Sequence, residues 1–92
     1  MRRTVRHKDP VTPELFIAVV SRDAGCVAVT LGADPMTCRG RATLDHVKDQ
    51  PRMGVRAPSD AAHLVTLCEF HHLEGWATSH RPDLRQYLRS VS

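Results

Sequence analysis

Cys68-Glu69-Phe70-His71-His72 places one thiol and two imidazoles within five residues. Upstream, Asp45-His46 sets a carboxylate beside a third imidazole. Thiolate with imidazole suits Zn2+, and carboxylate with imidazole suits a harder cation that keeps water in its shell. Cys26, Cys38, Cys68 and His71 make a Cys3His set, the composition of a closed structural zinc site. Cys68 and His71 lie three apart, so a helix start presents both on one face. Cys26 and Cys38 are separated by eleven residues rather than by a tight knuckle of two. The competing reading leaves these cysteines as small buried hydrophobes.

His72 projects about a quarter-turn from His71 and so serves a second site. Asp45, His72 and waters would hold Mg2+, Mn2+ or Ni2+ with open positions. His46 beside them can take a proton from water, because imidazole ionises near pH 6.5 or so. A cation bridging a phosphate oxygen and a leaving oxygen would complete a one-metal phosphodiesterase.

The elements that must position these residues follow from local pattern. Thr12-Pro13-Glu14 combines a hydroxyl cap, a first-turn proline and a carboxylate at the positive helix end. Leu15, Phe16, Val19 and Val20 recur at helical spacing, which predicts a helix over 13–24 with Gly25 as its left-handed stop. Cys26–Leu31 is β-branched and predicts a strand, so that Cys26 and Cys38 meet across a hairpin-like loop through Gly32–Pro35. Thr43–Val47 and His63–Cys68 predict two further strands. On a regular strand Asp45 and His46 face opposite sides. Residues 48–61 predict a long surface loop. Glu69 to Ser79 predicts a helix weakened at Gly75. Arg81-Pro82-Asp83 starts a last helix with Leu84, Tyr87, Leu88 and Val91 on one face.

Ninety-two residues make one domain, with residues 1–11 as a basic flexible arm and 12–92 as the folded unit. Four aromatics leave a thin core, a size at which a metal often supplies stability. Three cysteines cannot all pair within the chain, which argues against a disulfide framework. With no leader and no long apolar run, the expected compartment is the cytoplasm, with no membrane partner. The formal charge is +3, and eleven of the thirteen basic residues are arginine, the side chain suited to bidentate phosphate contact. Arg39, Arg41, Lys48, Arg52 and Arg56 cluster around Asp45 in sequence and are candidate phosphate contacts.

Leu44-Asp45-His46-Val47, His63-Leu64-Val65-Thr66-Leu67-Cys68 and His71-His72 together resemble the HNH endonuclease motif, whose form is roughly DH…NLVTLCxxCH. The resemblance covers about residues 26 to 76. It implies an α+β fold: a small ββα-metal domain of the His-Me finger type, treble-clef-like and zinc-stapled, with flanking N- and C-terminal helices. It implies that Asp45 and His72 ligate the catalytic cation, that His46 is the general base, and that Cys68 and His71 continue a zinc site begun by Cys26 and Cys38. His63 stands where the family has its middle asparagine, and so is a candidate for orienting the base or touching the metal. Trp76 replaces a further histidine used by some members and is expected in the core. The similarity is to small HNH proteins of bacteriophages and their bacterial hosts. The implied activity is cleavage or nicking of DNA, with phage terminase or packaging proteins as further partners. The alternative is a non-catalytic zinc module that binds nucleic acid or a packaging protein.

Overall fold

The computed structural model describes residues 11–47 and 59–91. Residues 1–10 of the basic arm expected over 1–11, and the phosphate-contact candidates Lys48, Arg52 and Arg56, lie outside the described residues.

The first element, α1 (Pro13–Asp23), starts as its sequence dictates: Thr12 Oγ1 accepts from Leu15 N, and Pro13 opens the first turn. It stops one residue earlier than the glycine suggests. Ala24 takes the left-handed cap at φ 56° and donates to Val20 O, and Gly25 follows at φ 125°. The next segment departs from its β-branched composition. Val27–Thr30 is a one-turn helix, α2, rather than part of a strand. Burial of Val27 and Ala28 against the sheet outweighs local preference, which is weak in four residues. A 3-10 turn at Pro35–Thr37 follows, so Cys26 and Cys38 approach across a helix and a turn, not across a hairpin.

The sheet has two strands, β1 (Ala42–His46) and β2 (Leu64–Cys68), paired antiparallel with Asp45 opposite Val65 and His46 opposite Leu64. His63 itself belongs to a preceding 3-10 turn, Ala61–His63, not to the strand. The expected helix over 69–79 is two: α3 (Glu69–Leu73) and α4 (Trp76–Ser79), separated where Gly75 takes φ 99°. The final helix, α5 (Arg81–Val91), buries Leu84 and Leu88.

Val65 and Leu67 from β2 meet Val27, Ala28, Val47, Ala77, Leu84 and Leu88 in one core, with Trp76 and Tyr87 packed on its edge. All five residues of β2 are buried. The architecture is therefore a small α+β domain in which a strand pair runs directly into a short helix, with α1 and α5 flanking it. Among the described residues no helix is long and apolar enough to cross a membrane.

Candidate metal centres

Two polar corners lie at the junction of β2 and α3, and each takes one of the adjacent histidines. Cys68 closes β2 and caps α3, its Sγ accepting from His71 N at 3.4 Å. Cys26, the N-cap of α2, accepts from Cys68 N at 3.4 Å through its own Sγ. Cys38 follows the 3-10 turn. The ligand atoms of Cys26, Cys38, Cys68 and His71 all lie within 4.8 Å of one another. His71 Nδ1 stands 3.1, 3.5 and 3.7 Å from the sulfurs of Cys68, Cys26 and Cys38. Ligands on one tetrahedral zinc, at about 2.0 Å for nitrogen and about 2.3 Å for sulfur, stand roughly 3.5–3.8 Å apart. The four side chains fit that ion.

A hydrogen-bond chain sets the tautomer of His71. Thr37 Oγ1 donates its single proton to Asp34 O at 2.6 Å, so it accepts from His71 Nε2 at 3.0 Å. Nδ1 is then left with its lone pair turned toward the three sulfurs. The thiols titrate unequally. Burial, with hydrogen bonding and charge from Cys68 and Cys26, pushes Cys38 up to about 12. Cys68 moves the other way: burial opposes its ionisation, but the backbone amides of His71 and Arg39 donate to it and bring it below the usual thiol value.

The loop carrying Cys38 is pinned to α3 by Phe70 N donating to Arg39 O at 3.2 Å and Glu69 N to Arg41 O at 3.0 Å. Between those contacts Gly40 sits at φ 82°, where an added Cβ would stand 2.8 Å from Glu69 Cβ. Gly40→Ala is therefore expected to cost about 1–3 kcal/mol from backbone strain alone. A urea midpoint measured on the metal-loaded protein checks this, and an unchanged midpoint would refute it. Arg39 spends its guanidinium on Met36 O and Cys38 O, at 2.9 and 3.1 Å, and so braces this loop. Arg41 is exposed beside it.

The second corner uses the same device. Thr43 Oγ1 donates to Leu67 O at 2.7 Å, so it accepts from His72 Nδ1 at 2.8 Å. His72 Nε2 therefore presents a lone pair, and 3.4 Å away stands Asp45 Oδ1, which also has only lone pairs to offer. Two acceptors face each other, and a shared cation or proton must bridge them. Ligand atoms about 2.1 Å from one ion stand roughly 3.0–3.4 Å apart, so the pair fits a single divalent cation. The other oxygen of Asp45 is occupied: Arg81 Nη1 donates to Oδ2 at 2.5 Å, and also lies 3.4 Å from His46 O. Nothing in the motif pointed to Arg81. Its only sequence signal is its place before Pro82 at the start of α5.

Strand alternation puts Thr43 and Asp45 on the side of His72 and sends His46 to the other. There His46 Nε2 lies 2.8 Å from Ser59 Oγ. His63 turns its Nδ1 to Asp60 Oδ1 at 2.7 Å, and its carbonyl accepts from Val47 N at 2.7 Å, just past the end of β1. Trp76 packs against the core, with its ring edge-on to His71 and stacked on His80 at 4.1 Å. His80 Nδ1 lies 2.8 Å from Trp76 O, a helix-end contact and not part of either corner. Comparison with family models, curated proteins and solved structures finds no match to this chain.

Proposed function

We propose that this protein is a zinc-stapled, metal-dependent phosphodiesterase of the HNH type acting on DNA. One observation carries the reading: a paired strand and the helix that follows it bring Asp45 Oδ1 and His72 Nε2 to 3.4 Å, while Thr43 Oγ1 holds the other ring nitrogen of His72 at 2.8 Å. A divalent cation such as Mg2+, Mn2+ or Ni2+ held by these two residues would supply charge neutralisation to a phosphate and its leaving oxygen. In this reading His46, the last residue of β1 and turned to the opposite face from Asp45, reaches round the strand end to take a proton from the water that attacks phosphorus; the P–O bond opposite the incoming oxygen breaks, and the leaving oxygen takes a proton from solvent. Ser59 Oγ, at 2.8 Å, orients the His46 ring. His63 lies one residue before the strand partner of His46 and supports the end of the hairpin. Arg41 and the arginines beyond β1 are suited to phosphate contacts, so binding should weaken steeply with salt, whereas Arg39 is engaged in bracing its own loop. The family resemblance supplies the substrate class, with small phage and bacterial HNH proteins as its source and packaging proteins as further partners.

A plasmid nicking assay with Mg2+, Mn2+ or Ni2+ tests this. Wild type should convert supercoiled to open-circular DNA. His46→Ala should lose about two to four orders of magnitude in rate, the usual contribution of a general base. Asp45→Ala should lose activity while zinc content and helicity persist. Retardation of DNA by a wild type that never nicks would reject hydrolysis. It would favour the second reading, a non-catalytic zinc module on nucleic acid. That reading has its own support in Arg81, which already neutralises the Asp45 carboxylate.

A further inference from the structure

Asp45 is buried, yet its two oxygens have different neighbours. Oδ1 faces His72 Nε2 at 3.4 Å, and Oδ2 receives the Arg81 guanidinium at 2.5 Å. A carboxylate free at both oxygens can close on a cation through both. Here one is taken by a group that stays charged across the accessible pH range. Arg81 is also fixed to the framework it acts on, since the same Nη1 lies 3.4 Å from His46 O. It sits at the first position of α5, whose Leu84 and Leu88 are in the core, so the backbone that carries the guanidinium is anchored.

We infer that Arg81 is a positioning residue that reserves Asp45 Oδ2, so that the corner offers a cation one oxygen and one nitrogen and leaves its remaining positions to water and a phosphodiester. This inference rests on the reading under Proposed function and adds what that reading lacks: a reason for the site to bind its ion weakly and wet. The guanidinium acts in two separable ways. Its hydrogen bond keeps Asp45 to one ligand atom. Its positive charge opposes a second cation nearby, an effect reduced because the side chain is 35% exposed.

The test loads the full chain with zinc and then titrates Mn2+, reading free Mn2+ by electron paramagnetic resonance and bound water by proton relaxation. Asp45→Asn and His72→Ala should abolish the Mn2+ site. Arg81→Ala should bind Mn2+ about threefold to tenfold more tightly and show lower relaxation per bound ion, because the freed Oδ2 displaces a water. Arg81→Gln keeps an N–H donor without charge, so it should tighten binding yet retain the wild-type relaxation. It carries the test by itself if Arg81→Ala loses zinc or helicity. A merely structural role predicts the opposite, weaker Mn2+ binding in step with lost helix. Unchanged affinity and relaxation in both Arg81 variants overturn the inference while leaving the hydrolase reading intact, provided that wild type binds Mn2+ through Asp45 and His72. A zinc-loaded wild type that takes up no Mn2+ overturns both.

Discussion

Stripping the metal from the Cys3His centre, or replacing Cys68 with serine, should unfold this domain under conditions where the loaded protein is native. The expectation follows from what the centre joins. Its ligands come from the start of α2, the loop before β1 and the β2–α3 junction, three segments distant in sequence that meet at this one point. Structural zinc in small domains contributes about 10–16 kcal/mol of apparent binding energy. Whole-domain stability is commonly about 5–15 kcal/mol, so loss of the ion removes most of it. Cys68 should matter most among the three thiols, because its sulfur also caps α3 and lies at 3.1 Å from His71 Nδ1. Acid should mimic chelation. With Cys38 pushed up to about 12 in the metal-free protein, its thiol carries a proton at neutral pH that metal binding must expel. Zinc affinity should therefore rise with pH and fall as protons compete for the sulfurs. Circular dichroism melts with and without a chelator, from pH 5 to 8, measure this directly. Melting curves indifferent to chelator and to Cys68→Ser would mean that the four side chains pack together without an ion.

The Cys3His cluster is legible in the sequence because thiols and imidazoles are rare enough that four of them in one small chain constrain each other. Their spacing carries little information: α2 and a 3-10 turn fill the eleven residues between Cys26 and Cys38, and no short-range pattern announces that. The Val27–Thr30 helix reads as a strand for the same reason. Four β-branched or small residues fit either state, and packing against β2 decides. Asp45 and His72 can be paired from the motif, but the threonines that fix both histidine tautomers cannot. Thr37 and Thr43 gain their meaning from the carbonyls of Asp34 and Leu67, contacts visible only once the chain is folded. Arg81 is hidden likewise: a helix-start arginine reads as solvated charge until folding brings the Asp45 carboxylate of β1 within hydrogen-bond reach. The helix break at Gly75 is half legible, since glycine weakens a helix but φ 99° makes it a hinge between two.

Asp23→Ala should cost about 3–5 kcal/mol, the penalty for removing one member of a buried charged network. Asp23 ends α1 with its side chain fully buried. Its Oδ1 accepts from Arg22 Nε at 2.7 Å and from Tyr87 OH at 2.7 Å, and its Oδ2 from Arg22 Nη2 at 3.1 Å and Thr66 N at 2.8 Å. The carboxylate thereby ties the first helix to the middle of β2 and to the last helix. Arg22 reinforces the tie by donating to Ala61 O and Leu64 O at 2.5 and 2.6 Å. Truncation orphans a buried amide and a phenol together, each a cost of about 1–3 kcal/mol when unsatisfied. Asp23→Asn keeps the shape but can accept at only one atom, so its loss should be smaller. Tyr87→Phe, which removes a single donor, should lose about 1 kcal/mol. The same cluster sets a limit in alkali. Burial, then the hydrogen bond and charge of Asp23, push Tyr87 up to about 12. Because the folded value lies above the ordinary one near 10 or so, this contribution is complete below that pH and disappears as pH rises toward 12. Urea unfolding of wild type, Asp23→Ala and Tyr87→Phe at pH 8 and at pH 11 resolves both effects. The wild type should lose more stability between the two conditions than Tyr87→Phe does, and equal losses would show that the phenol is not held by Asp23.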